Sequence, residues 1–282
     1  MPTSLNSVMK IITAKPRLCF TLLYGDGNFY LSRNFNLQEV GDFDWLMENY
    51  EFESIRRSID ELVILNVSKH EFEWPGMLED IRKVVKHCFM PIAIGGGIRN
   101  IDQAGLLFAN GADKIVMNSA FFCDPKLVRS LVEFYGTQSI VASLDFRRDK
   151  TNGSLEIFLN GGSKSTGISL VEAIKNVVSM GAGELYLTSI DRDGTGMGYD
   201  LNAIEDAFNA CDLPIIASGG ADTSNRLSEG LRSGFVSAAS TSHLFNFMCD
   251  GLQDARQELI ADQITLSRWN FEGIDLSFLN TP

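Results

Sequence analysis

The 282-residue chain predicts an α/β protein closed as a (β/α)8 TIM barrel, and three observations carry that prediction. Short apolar runs alternate with stretches of helical spacing eight times along the chain. The runs are continuous rather than alternating, as "IVASL" at 140–144 shows, which fits a parallel sheet buried on both faces. The chain also repeats itself: "MPIAIGGGI" (90–98) resembles "LPIIASGGA" (213–221). The pairs Glu61/Glu184, Pro91/Pro214, Gly97/Gly220 and Gly111/Gly234 share one offset of 123 residues. Two four-unit halves close a ring, whereas an open doubly wound sheet is the alternative.

In chain order, the first strand falls near 17–23 and "GDFDWLMENYEFE" (41–53) reads as a helix covering its outer side. Strand two is expected near 61–67, followed by the helical "MLEDIRKVVKHC", and strands three and four near 91–94 and 114–117. The second half repeats this with strands near 139–145, 184–190, 214–218 and 236–240 and the helical "SLVEAIKNVVSMG". No linker rich in Pro, Ser or charge interrupts the chain. The expectation is one domain over 1–282, with half-barrels about 15–135 and 136–260 and appendages at 1–14 and 269–282.

Composition narrows the function. A net charge of −12 argues against a nucleic-acid surface, while leaving room for a small phosphate held by backbone amides. No apolar run is long enough to span a bilayer, and "MPTSLNSVMKIITAKPRLCF" lacks a signal-peptide core, so a cytoplasmic protein is expected. Five scattered cysteines without a CxxC pair read as reduced thiols. His70, His87 and His243 form no ligand spacing, so neither a metal nor another cofactor is expected.

In such barrels the chemistry sits in the loops after the strands. "LTSIDRDGTGMGYD" (187–200) ends the sixth strand in Asp191 and Asp193, with Gly194, Thr195, Gly196 and Gly198 letting backbone approach a ligand and Asp200 capping the next helix. A plain Asp-Gly turn is the alternative. "GGGI" (95–98) and "SGGA" (218–221) present Gly96, Gly97, Gly219 and Gly220 at helix starts. Asn118 and Ser119 after strand four, and Thr241 and Ser242 after strand eight, join them. Together they predict two phosphate sites on opposite sides of one mouth, hence a long ligand phosphorylated at each end. Asp145, at the tip of the fifth strand, is a candidate general acid or base, unless it merely pairs with Arg147, Arg148 or Lys164.

These segments, with "IAIGGGIRNIDQAGLLFANGADKIVMNSA" and "GSKSTG", resemble the cyclase subunit of imidazole glycerol phosphate synthase from about Lys15 to Phe247. The resemblance implies a lyase-type synthase subunit. It takes ammonia released by a separate class I glutaminase, passes it up the barrel, and joins it to a bisphosphorylated aminoimidazole carboxamide ribonucleotide. It further implies an entry gate of alternating charge at Lys15, Glu61, Lys114 and Glu184, and a glutaminase contact at Asp113 and Gln138. Asp145 matches one of the family's two acid/base aspartates. The other falls on Thr21, whose hydroxyl is no proton carrier at neutral pH. Asn66 replaces a further acid, and Arg33 in "SRNF" stands where the family has a lysine. These departures favour a paralogue that feeds ammonia to a sugar amidotransferase of O-antigen or surface-polysaccharide synthesis. The alternatives are an authentic histidine-biosynthesis cyclase using Asp145 and Asp193, and a non-catalytic activator of the glutaminase.

Overall fold

The computed structural model describes residues 15–50, 55, 58–68 and 74–267, so the expected appendages and His70 lie outside the described residues. Eight parallel strands form one closed ring: β1 (Arg17–Gly25), β4 (Glu61–Asn66), β5 (Ile92–Gly95), β6 (Lys114–Met117), β7 (Ile140–Arg148), β10 (Glu184–Ser189), β11 (Ile215–Ser218) and β12 (Ala238–Thr241), which pairs back to β1. The TIM barrel and all eight strand positions agree with the sequence to within a few residues.

The sequence did not predict four further strands. β1 turns at Asp26-Gly27 into an antiparallel hairpin of β2 (Asn28–Arg33) and β3 (Asn36–Asp42), and β7 continues likewise into β8 (Leu155–Leu159) and β9 (Lys164–Ser169). Asp26 and Gly27 both have positive φ, as do Asn34 and Phe35 at the next turn, the geometry of two-residue hairpin loops. The helix expected at 41–53 starts later, as α1 (Phe43–Asn49). Gly41 and Asp42 pair within the hairpin, and the Asp42 carboxylate accepts from the Trp45 N–H to cap the helix.

Helices α2 (Trp74–His87), α3 (Ile101–Ala109), α4 (Ala120–Cys123), α5 (Pro125–Tyr135), α6 (Leu170–Ser179), α7 (Leu201–Ala210), α8 (Ser224–Arg232) and α9 (Gly251–Ala261) form the outer layer. Side chains of Asn100, Asp124, Ser169, Asp200 and Thr223 accept from first-turn N–H groups and fix where these helices begin; of the five, Asp200 was expected. The main core lies between strands and helices. A second cluster fills the bore, one residue per strand: Cys19, Val63, Ala93, Val116, Val141, Tyr186, Ile216 and Ala238. At the base, Arg256 of α9 makes a bidentate ion pair with Asp60, both oxygens at 3.0 Å, and Asp60 also accepts from the Leu18 N–H at 2.8 Å.

The registers make the internal repeat quantitative. Leu62 pairs with Ile92 and Leu185 with Ile215, a shift of 123 in both members. Glu61 lies beside Cys19, and Glu184 beside Val141. Cys19 and Val141 are therefore equivalent, 122 apart. Counting up the strands, Ser143 is the partner of Thr21, and Asp145 is the partner of Leu23.

Candidate functional site at the two ends of the bore

Strand alternation aims every second residue of β1, β4, β6 and β10 into the bore. At the lower end this brings four charges together. Lys114 Nζ lies 2.8 Å from both Glu61 Oε1 and Glu184 Oε2, and the Arg17 guanidinium donates to the other oxygen of each carboxylate. The four side chains close a neutral ring of alternating sign. Burial pulls the Lys114 ammonium down, but the Glu184 and Glu61 carboxylates outweigh it, so its pKa is raised and it stays charged. Burial also pushes the Glu61 carboxyl up, against the pull of Arg17 and Lys114.

The ring corrects one assignment. Lys15 is exposed and precedes β1, while Arg17, two residues on, supplies the second cation. The inward alternation of Arg17, Cys19, Thr21 and Leu23 was the signal that could have found it. Asp113 and Gln138 are both exposed at this lower end, Asp113 accepting from the Ile92 N–H at 2.8 Å.

At the upper end Asp145 accepts from the Asn118 amide at 2.9 Å and from Thr188. It does not pair with Arg148, which holds Asp200, or with Arg147, whose guanidinium lies over the Phe158 ring. Burial, and then the nearby Asp193 carboxylate, push Asp145 up to about 7, while Asn118 and Thr188 pull it down. Asp193 is buried and likewise raised by burial, and the Ser32 hydroxyl donates to it. Asn118 Oδ1 is a buried acceptor with no partner among the described residues.

Because the folded carboxyl of Asp145 keeps its proton up to about 7 and an unfolded one only to about 3.9, the native state binds more protons in that interval. Asp145 therefore makes stability fall as pH rises from about 4 to 7, with no further loss above. Asp145→Asn is expected to flatten this slope, so that the variant's melting temperature gains on the wild type between pH 5 and pH 8. Parallel pH slopes in thermal melts of the two proteins would contradict the assignment.

Thr21 is not at the tip of its strand. It sits mid-bore, 1% exposed, bonded to Tyr186 and Ser240, one layer below Asp145. The strand-1 position facing the mouth opposite Asp145 is Leu23, half-buried and apolar. The expected strand-1 counterpart is thus corrected from Thr21 to Leu23. Asn66 at the end of β4 accepts from the Ser68 hydroxyl at 2.8 Å.

The residues expected to hold phosphate lie on two sides of the mouth. Gly96 and Gly97 lie after β5 beside Asn118 and Ser119 after β6. Gly194, Gly219, Gly220, Thr241 and Ser242 line one pocket with Ser32, Asp193, Asp222 and His243, while Thr195 bends the adjoining loop. Gly219 and Gly220 have φ of 88° and 105°, open to glycine and strained for other residues. The Thr241 hydroxyl is committed to the Ala221 carbonyl at 2.8 Å. Asp222 was not anticipated. A β-carbon on Gly196 would lie 2.5 Å from its carboxylate, so a dianion in this pocket would face two carboxylates. His243, read as bland from the sequence, lines the same pocket, and burial lowers its pKa.

The hairpin of β2 and β3 covers this rim. Ser32 reaches Asp193, and a β-carbon on Gly194 would sit 2.5 Å from Arg33 Cα. Among the described residues no group of His, Cys, Asp and Glu could hold a metal ion, and no helix is long and apolar enough to cross a membrane.

Comparison with known proteins matches residues 36–248 to the family described as "Histidine biosynthesis protein". The chain is 39% identical over 257 residues to a protein of Parasynechococcus marenigrum (strain WH8102) provisionally assigned as imidazole glycerol phosphate synthase subunit hisF2, covering 91% of this chain and 95% of that one. It is 34% identical over 224 residues to imidazole glycerol phosphate synthase subunit HisF of Clostridium botulinum (strain 657 / Type Ba4), covering 79% and 87% respectively. With the barrel, the lower ring and the glycine-lined mouth in place, the chain belongs to the histidine biosynthesis protein family, in its branch of imidazole glycerol phosphate synthase cyclase subunits.

Proposed function

We propose that this chain is a paralogue of the cyclase subunit that receives ammonia from a class I glutaminase at its lower face and delivers it to an acceptor other than the cyclase's own substrate. A sugar amidotransferase of surface-polysaccharide synthesis is the acceptor that fits. The observation that carries this reading is that Leu23 occupies the strand-1 position equivalent to Asp145. Two-proton chemistry on a ribonucleotide calls for a second ionisable group there, and leucine supplies none. Asp222 in the pocket intended for a phosphate points the same way.

The reading of an authentic cyclase draws on Asp145, poised near neutrality, and on its neighbour Asp193. Purified chain supplied with ammonium and the bisphosphorylated aminoimidazole carboxamide ribonucleotide separates the two. No imidazole glycerol phosphate is expected, and robust turnover would establish the cyclase instead. The ring of Arg17, Glu61, Lys114 and Glu184 serves as the ammonia entrance in either enzymatic reading. Glu184→Ala strips Lys114 and Arg17 of one shared anion each. In the complex with glutaminase it is expected to leave glutamine hydrolysis running while transfer falls several-fold. Unchanged coupling between glutamate formed and ammonia transferred would count against an entrance here.

A further inference from the structure

Halfway up the bore one side chain crosses it. Tyr186 leaves β10 and its hydroxyl reaches β1 and β12 on the far side of β11, meeting Thr21 Oγ1 at 2.8 Å and Ser240 Oγ at 3.3 Å. Thr21 and Ser240 are 2.7 Å apart, and Ser218 of β11 bonds the phenol as well. Tyr186 is 2% exposed, and burial raises its pKa, so the hydroxyl keeps its proton. Bore-facing positions of such barrels ordinarily carry branched apolar residues, which fill space without needing partners. Here four strands contribute hydroxyls that satisfy one another.

The surroundings of this collar are ordered along the axis. One alternation step below lie Cys19, Val63, Ala93, Val116, Val141, Ile216 and Ala238, and below those the charged ring. Above lie Thr188, Asn118 and Asp145. An ion entering the apolar layer would lose its hydration with no compensating partner. A small neutral solute that both donates and accepts can replace one hydroxyl contact by another as it moves. Ammonia, with three N–H groups and one lone pair, has that chemistry; ammonium has no lone pair to offer.

We propose that Tyr186, with Thr21, Ser240 and Ser218, is a second gate that admits neutral ammonia by exchanging hydrogen bonds with it and holds back ions and larger amines. The proposal rests on the ammonia-carrying reading above, and its test needs neither glutaminase nor acceptor. The full chain carrying 13C-labelled tyrosine is followed by NMR, the Tyr186 hydroxyl being the signal lost in Tyr186→Phe, or shifted in Thr21→Val should that variant not fold. Hydroxyl exchange with solvent is then compared in ammonium chloride and trimethylammonium chloride at one pH and equal free base.

The gate predicts slow exchange without amine and an acceleration about tenfold greater with ammonia than with trimethylamine, the factor that one hydrogen bond is worth. Equal acceleration by both amines, none by ammonia, or exchange already too fast to follow without amine would each overturn it. Ammonia-selective exchange combined with unchanged coupling in Glu184→Ala would keep the gate and remove the entrance assigned to the lower ring. Loss of coupling in Glu184→Ala with unselective exchange would do the reverse.

Discussion

Leu23→Asp is expected to give the chain cyclase turnover if, as proposed, the native chain has none. The substitution places a carboxyl on the one strand position equivalent to Asp145, so that two acids face each other across the mouth. A positioned general acid or base contributes about 10²–10⁴-fold, so the gain with ammonium and the bisphosphorylated ribonucleotide is expected to be of that order. Thr21→Asp is the informative control. It puts the same group one layer lower, inside the hydroxyl collar, where it would break the contacts to Tyr186 and Ser240 and reach no ligand. Product formation by Thr21→Asp but not by Leu23→Asp would show that the register has been misread. Failure of both, with the fold intact, would place the loss of cyclase activity elsewhere, with Asp222 the next group to replace.

Arg256→Ala is expected to be the most damaging change for stability. The pair with Asp60 is almost wholly enclosed, with side-chain exposures of 7% and 3%. Removing the guanidinium strands a carboxylate that has lost its water, a situation that costs about 3–5 kcal/mol. For a domain of this size that corresponds to a drop of roughly 10 °C in melting temperature. Asp60→Ala is expected to cost as much, because the Leu18 N–H loses its acceptor as well. The double replacement Asp60→Leu with Arg256→Leu should fall well short of the sum of the single losses, since apolar residues in place of both partners leave no buried charge. A single variant melting within a degree or two of the wild type would show that α9 is not held by this clasp.

Much of the architecture was legible because barrel strands advertise themselves. Each is a continuous apolar run, and the offset of 123 residues linked Glu61 to Glu184 before either was placed. One helix start was equally plain, since Asp200 caps α7 as its sequence led one to expect, while the Ser169 and Asp124 caps emerge only in the structure. The first strand was read less well. Its offset from its twin is 122 rather than 123, and a single residue of slip turns an inward side chain outward while two residues move it one layer along the axis. That is how Lys15 stood in for Arg17 and Thr21 for Leu23. The hairpins were missed for a different reason. "NFYLSR" and "NLQEVGD" are half-polar and owe their pairing to turns with positive φ, one of which, Asn34-Phe35, is a poor turn sequence. Tyr186 escaped notice because an aromatic residue in an apolar run reads as core, and only the third dimension brings Thr21, Ser218 and Ser240 to its hydroxyl.

The two hairpins spring from equivalent strands, β1 and β7, on opposite sides of the ring, and their tips touch. A β-carbon on Gly162 would lie 2.9 Å from the Phe35 ring, with Ile190 close by. Diametrically opposed sectors of the wall are thus tied by a strap that bypasses the strands between them. A cylinder braced in this way resists ovalisation at its rim. A protein docking overhead would have to lift both ends of the strap together, so the rim would open as one event rather than quadrant by quadrant.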